Sequence, residues 1–302
     1  MKPSPITILQ SDLYREKAIT VHLKRDDLIG GPAQGNKMRK LKYLIQDATK
    51  KKADTLITFG GAFSNHLYAT AWAAQQNDFK STGYVRGEID PKNPTMIACA
   101  GWGMEVRPLS RAEYSLKDSA AFLEEVRNRY PRGYVIPEGG FSELAMEGMA
   151  ECAKEIEHEG KYDIWVVPCA TGATLGGLLQ GAHDAQEFIA MSVLKGKEID
   201  GLPTGVKSER ERIKVVAAHR GGFGKFPLEL ITYIKDFADM HSIYLDPVYT
   251  GKMMFKLDEL IQSDFFALGT RLLVIHSGGH QGIRGYNYRF GGVLSLPPRG
   301  SS

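Results

Sequence analysis

Residues 163–177 read DIWVVPCATGATLGG: a short apolar run that ends in a turn of glycines and hydroxyl side chains. A second apolar pattern, GLLQGAHDAQEFI, follows it directly. An apolar run of this length, bounded by turn residues, predicts a buried strand, and its passage into a helix predicts a βα unit of a parallel sheet. The same alternation recurs along the chain. Strands are expected at 19–24, 54–59, 81–85, 104–109, 133–136, 163–168, 213–218 and 271–276. Helices are expected at 36–52, 64–77, 92–101, 114–130, 142–159, 174–190, 226–240 and 251–263. This order implies an α/β fold with open, mainly parallel sheet. Ligands of such sheets collect at the carboxyl ends of the strands. Four turns there are rich in glycine and polar residues: GGAFSNH (60–66), EGGFSE (138–143), CATGATLGG (169–177) and HSGGHQG (276–282). Together they are expected to build one composite site.

The turn at 169–177 places free N–H groups at a helix start, which favours phosphate. Gly172, Gly176 and Gly177 would let the backbone approach a ligand, and Thr171 and Thr174 add hydroxyls. No lysine follows the glycines, so the nucleotide pattern G-x-x-x-x-G-K-[ST] is excluded, and G-x-G-x-x-G does not fit either. A small phosphorylated cofactor suits this turn; glycines that merely let helix and strand pack are the competing explanation.

A second stretch, GNKMRKLKYL (35–44), carries a lysine in an unexpected place. With Asn36 as cap, a helix over 36–52 puts Met38, Leu41, Leu44, Ile45 and Ala48 on one face at roughly 100° per residue. Lys37 projects into that stripe, whereas Arg39, Lys42, Gln46 and Lys50 take the opposite side. Desolvation and the positive end of the helix dipole both lower a lysine pKa there, and a neutral amine can form a Schiff base. Pyridoxal phosphate asks for such a lysine, an anion site and polar groups around its ring. The alternative is a lysine that snorkels to water.

The chain has 302 residues, 43% hydrophobic and 24% charged, which is enough for two domains or one large α/β unit. Its net charge of +3 is spread along the sequence, so no nucleic-acid face is expected. The run KSERERIK (207–214) mixes both signs and reads as a solvated loop. Cysteines 99, 152 and 169 have neither disulfide nor zinc spacing, and no metal is expected. No apolar run approaches a membrane span and the first residues lack a signal-peptide core, so a cytoplasmic protein is expected.

The ordered set GNKMRKLKYL, TFGGAFSNH, IPEGGFSELAMEGM, CATGATLGG, LDPVYTGK and IHSGG resembles the pyridoxal-phosphate enzymes of fold type II. The resemblance is greatest to the branch of D-cysteine desulfhydrase and 1-aminocyclopropane-1-carboxylate (ACC) deaminase, and it covers nearly the whole chain. It implies the two-domain, tryptophan synthase β-like architecture, with open, mainly parallel twisted sheets flanked by helices. The large domain would take residues 1–40 and 146–302 and the small domain 41–145, with the cofactor between them in a homodimer. Lys37 matches the Schiff-base lysine and Lys40 a second basic residue near it. Ser64, with the helix amides around it, matches the group that receives the substrate carboxylate. Asn65 would lie beside the cofactor ring, with His66 in the same substrate-binding stretch. Thr171, Gly172, Ala173 and Thr174 match the phosphate cradle, Ser277 lies near the pyridine nitrogen, and Tyr249 of DPVYTGK is an active-site tyrosine.

The implied reaction is β-elimination of a small amino acid, D-cysteine, to pyruvate, ammonia and hydrogen sulfide. Lys37 would be the base, or Ser64 or Tyr249 for a D-configured substrate. The rival is ring opening of ACC to 2-oxobutanoate and ammonia; serine dehydration, racemisation and a non-catalytic cofactor carrier are further alternatives. By the same resemblance ACC deaminases pair two tyrosines, and the second is expected on the last strand, where this chain has Val274.

Overall fold

The computed structural model describes residues 2–196 and 211–298. Elements are numbered in chain order. A six-stranded sheet runs β1 (Ile6–Leu9), β2 (Thr20–Arg25), β10 (Arg271–His276), β7 (Ile164–Cys169), β8 (Glu187–Ser192) and β9 (Ile213–Ala217). A four-stranded sheet runs β5 (Met104–Leu109), β4 (Lys80–Arg86), β3 (Thr55–Gly61) and β6 (Gly133–Val135). Every pairing is parallel except β1 with β2. The expected open, mainly parallel α/β fold is therefore present.

The central strands are apolar on both faces because both faces are covered. Along β10, Leu272 and Val274 enter one core cluster while Leu273 and Ile275 enter another. Val166 and its neighbours Trp165 and Val167 divide between the same two clusters. This is the period of two of a strand buried on both sides.

Two expected helices resolve differently. The span 114–130 is two short helices, α5 (Arg111–Ser115) and α6 (Ala120–Arg129). Ser110 forms a capping box with Glu113, and Ser119 accepts from the Phe122 amide at 3.3 Å, so each helix has its own start signal. The span 174–190 holds α8 (Ala173–Gly181) and then β8, whose buried run EFIAMS reads by apolarity alone as a continuation of the helix. Edge strand β1, short α1 (Asp12–Glu16) and α11 (His280–Phe290) lie outside the expected set. Of the mixed-charge run 207–214, residues 207–210 lie outside the described residues.

Helix α2 (Asn36–Lys50) packs on α7 (Glu143–Glu159), which in turn packs on α8. Glycines set both approaches. A Cβ on Gly148 would lie 2.1 Å from the Arg39 carbonyl oxygen, and one on Gly177 would lie 2.4 Å from that of Met146. Gly177 thus serves helix–helix contact and not, as its turn suggested, approach to a ligand.

The expectation that Arg39 lies on an outer face is also wrong. Arg39 is 2% exposed, and its guanidinium donates bidentately to Asp26 (2.8 Å to each oxygen) and to both oxygens of Glu155 (2.8 Å each). Ser4 donates to Asp26 at 2.6 Å, and the fully buried Lys24 donates to the Ser4 carbonyl at 2.6 Å and pairs with Glu155 at 3.1 Å. Periodicity could not show this, because the partners come from the N-terminal segment, the turn after β2 and α7. Arg39→Leu should destabilise the protein by about 3–5 kcal/mol, since it strands buried carboxylates without their cation. Urea unfolding of the two proteins measures the difference.

Candidate active site

The start of α2 is built by backbone geometry. Gly35, not Asn36, is the N-cap, with φ 98°. A Cβ there would lie 2.1 Å from the Ser277 carbonyl oxygen, so this close approach requires glycine. Gly35 forms a β-bridge with Gly278, and the Asn36 amide donates to the Ser277 carbonyl at 3.1 Å. The Asn36 side chain donates to Thr174 Oγ1 at 2.9 Å. The helix that carries Lys37 is thereby fastened to the turn after β10 and to the first turn of α8.

Lys37 is half-buried, and its Nζ donates to Asn36 Oδ1 at 3.3 Å. Burial lowers its pKa to about 8, offset in part by the negative charge of Asp246. Lys40, one turn on, is 2% exposed; burial first, then the charge of Lys37, holds its pKa well below the ordinary value. His66 lies near both amines. It is buried, bonds Thr58 Oγ1 through Nε2 at 2.8 Å, and is pushed down to about 3 by burial and by the charges of Lys37 and Lys40. It is therefore neutral at any working pH.

The four turns meet around these amines. A Cβ on Gly140 would lie 3.4 Å from His66 Cε1 and 3.9 Å from Lys40 Cβ, and one on Gly139 would lie 3.6 Å from Thr171 Cγ2. Gly279 sits between Asp246 and Asn65, whose side-chain atoms would be 3.0 and 3.3 Å from a Cβ there. Ser64 caps α3 (Asn65–Gln76), accepting from the His66 and Leu67 amides at 3.2 and 3.3 Å. Asn65 accepts from Gln281 at 2.6 Å. Gly172 caps α8 in the left-handed region at φ 86°, with Ala173 and Thr174 buried behind it and Thr171 exposed. Ser277 is half-buried beside Gly278.

Tyr249 precedes α10 (Thr250–Gln262). Burial and the nearby charge of Asp246 raise its pKa, so its phenol stays protonated. Its ring meets Phe223 edge-on, with centroids 5.6 Å apart. Val274, by contrast, is fully buried in the core, as are Leu272, Leu273 and Ile275. At the strand position where the resemblance puts a second phenol, β10 gives Val274 to the core, and the ring beside Tyr249 is Phe223.

Motif reading passed over Asp246. It is fully buried, accepts from the amides of Val248, Tyr249 and Thr250 at 2.8, 2.8 and 3.0 Å, and supplies the negative charge felt by Lys37. An Asp-Pro pair ahead of a helix was the available signal. Also missed were Asp27, His276 and His280, a buried group whose donor atoms lie within 4.8 Å of one another. Arg25 engages Asp27 bidentately, and His276 Nδ1 accepts from the Gly278 amide at 3.2 Å, so the group braces the turn that meets Gly35.

A family profile described as "Pyridoxal-phosphate dependent enzyme" matches residues 3–278. The chain belongs to that family. A crystal structure titled as an ACC deaminase homologue superposes with a TM-score of 0.83 at 31% identity, covering 96% of this chain and 93% of the other. A bifunctional D-cysteine desulfhydrase/ACC deaminase of Arabidopsis thaliana is 32% identical over 86% of this chain and 72% of its own length. A Pyrococcus horikoshii protein that bears the ACC deaminase name provisionally is 33% identical over 97% and 93%. Within the family the chain thus falls in the ACC deaminase/D-cysteine desulfhydrase branch, and it is a pyridoxal-phosphate-dependent enzyme of the lyase and deaminase kind.

The residues fit the cofactor. The charge of Lys37 lowers the pKa of Lys40, and Asp246 is the carboxylate felt by Lys37, so an anionic guest suits the pair. The start of α8, capped by Gly172, adds the first-turn amides that a helix leaves without intrahelical partners, as a phosphate needs. Cofactor-free protein should take up pyridoxal phosphate covalently at a rate that rises with pH and levels off above about 8, as Lys37 loses its proton. Stopped-flow absorbance gives the profile, and Lys37→Ala should abolish the covalent phase.

Proposed function

We propose that the enzyme catalyses β-elimination from D-cysteine, giving pyruvate, ammonia and hydrogen sulfide, with Lys37, Ser64 and Tyr249 as its catalytic groups. The observation that carries this reading is the neighbour of Tyr249. Opening the ACC ring calls for two phenols in this branch; the position expected for the second carries Val274, and the ring that faces Tyr249 is Phe223, so neither offers a hydroxyl. Elimination of a thiolate asks for no second phenol. The rival, ACC deamination, is the activity in the names of both relatives and in the name given to the superposed structure, and one of the relatives also carries the desulfhydrase name.

Pyridoxal phosphate, held through Lys37, supplies an electron sink that makes the substrate Cα–H acidic. The start of α3, with Ser64, takes the substrate carboxylate, because a helix N-terminus presents free amides and positive potential. Asn65 and His66 line that end of the site, and the neutral His66 leaves the carboxylate to the helix. Thr171, Gly172, Ala173 and Thr174 take the phosphate, and Ser277 hydrogen-bonds the pyridine nitrogen. Lys37, whose amine is neutral above about pH 8, removes the α-proton. The protonated phenol of Tyr249 stands as a donor to the departing sulfur. Lys40, held towards its neutral form by burial and by the charge of Lys37, stands as a second amine beside the cofactor's anionic groups.

The cofactor is assigned to the cleft between a large domain, residues 1–40 and 146–302, and a small domain, 41–145. The reading includes a cytoplasmic homodimer. No helix among the described residues is long and apolar enough to cross a membrane.

The comparison to run is kcat/KM for D-cysteine, L-cysteine and ACC on one preparation. D-cysteine should lead ACC by about a hundredfold or more, the order of a missing catalytic proton donor. ACC turnover equal to that of D-cysteine overturns the reading. Phe223→Tyr should raise ACC turnover while changing D-cysteine turnover little, and mass balance of 2-oxobutanoate against pyruvate reads the switch.

A further inference from the structure

Lys252, the lysine of LDPVYTGK, takes no part in the chemistry above, yet it is fully buried. Its Nζ has no carboxylate partner in its hydrogen bonds. Instead it donates to three backbone carbonyls of one turn: His219 at 3.1 Å, Gly222 at 2.7 Å and Phe223 at 2.9 Å. An ammonium has three protons, and each has found an acceptor here. Burying that charge is unfavourable, and the arrangement persists because the carbonyl dipoles converge on it.

The same face of α10 grips this segment at further points. Positions 249, 252, 255 and 259 follow helical spacing. Arg220 lies over the Phe255 ring at 4.0 Å and pairs with Glu259 at 2.6 Å. Lys252 also stands 5.4 Å from the Phe226 ring centroid. Within the turn, Gly222 donates to the His219 carbonyl at 3.0 Å, and Gly222 adopts φ 146°. One end of this clamped turn is Phe223, 43% exposed, whose ring lies edge-on to Tyr249 at an interplanar angle of 78°.

We propose that Lys252 is a positioning residue: by holding the carbonyls of residues 219, 222 and 223 it seats Phe223 across Tyr249 and so fixes the direction of the Tyr249 phenol. The assignment of a reaction role to Tyr249 rests on the function proposed above; the clamp itself rests on the hydrogen bonds and the ring contact. Phe223 is the element through which Lys252 acts, and it walls the outer side of the site at Tyr249.

The test uses full-length holoenzyme with 3-fluorotyrosine incorporated at position 249 alone. Lys252→Met keeps the apolar stem and removes the three donors; Phe223→Leu removes the ring at a partly exposed position where folding is not at stake. In fluorine NMR both variants should move or broaden the single resonance in the same sense. Hydrogen exchange over residues 219–225 should quicken in Lys252→Met and not in Phe223→Leu. With D-cysteine, each variant should lose about tenfold to a hundredfold in kcat, the order of a misplaced catalytic group, and the double variant should lose no more than the worse single one. Should Lys252→Met fail to fold, Lys252→Gln, which keeps two donors, should move the resonance in the same sense as Phe223→Leu and by less, and an unmoved resonance there overturns the clamp. An unmoved resonance in the Lys252 variant, or losses that multiply in the double variant, overturns the clamp. If D-cysteine is not a substrate at all, the reading of the reaction falls, and the resonance and exchange measurements still decide the clamp.

Discussion

Arg39 fixes the rotation of α2, and the site depends on that rotation. Its guanidinium is held by Asp26 and Glu155 in a buried ion network that also takes in Ser4 and Lys24. Burial opposes its charge, but the two carboxylates outweigh burial and raise its pKa. Two residues earlier on a helix is a turn of roughly 200°, so locking Arg39 towards α7 and the N-terminal segment sends Lys37 the other way, towards the charge of Asp246. Lys40, one position after Arg39, then lies beside it over Gly140 and His66. A network of this kind contributes less to net stability than its bond count suggests, because desolvation offsets much of it. Its effect here is orientation.

Around the two amines the charges are arranged by burial more than by pairing. Lys37, Lys40 and His66 are all shifted towards their neutral forms, and in each case desolvation is the leading cause. The Cys169 thiol is pushed up to about 12 for the same reason. Asp246 is the counterweight: its carboxylate is held by three amides at the start of α10 and reaches Lys37 electrostatically. The chemistry of the site is thus set by buried groups around one carboxylate, which burial pushes towards its protonated form and the backbone N–H groups hold partly in check.

Much of this was legible in the sequence, for identifiable reasons. Strands β5 and β10 fall on the expected residues, because MEVRPL and RLLVIH are bounded by turns at both ends. The four polar turns meet because turns after parallel strands share one edge of a sheet. What failed had long-range causes. Asn36 looked like a cap, but the cap is Gly35, since only glycine fits against the Ser277 carbonyl. Arg39 looked exposed, because periodicity does not know of partners more than a hundred residues away in α7. Apolar runs without a break, as in EFIAMS, hide the change from helix to strand.

The like-charged pair of Lys37 and Lys40 has a consequence outside catalysis. Two amines in one buried space weaken the very segment that joins β10, α2 and α8, and an anionic cofactor relieves them. A ligand that binds only the folded chain adds to its stability by mass action. The time a newly made molecule waits for its vitamin-derived partner is then time spent in its least protected form, open to degradation. Vitamin supply would in this way govern how many copies of the protein a cell retains, as well as how many are active.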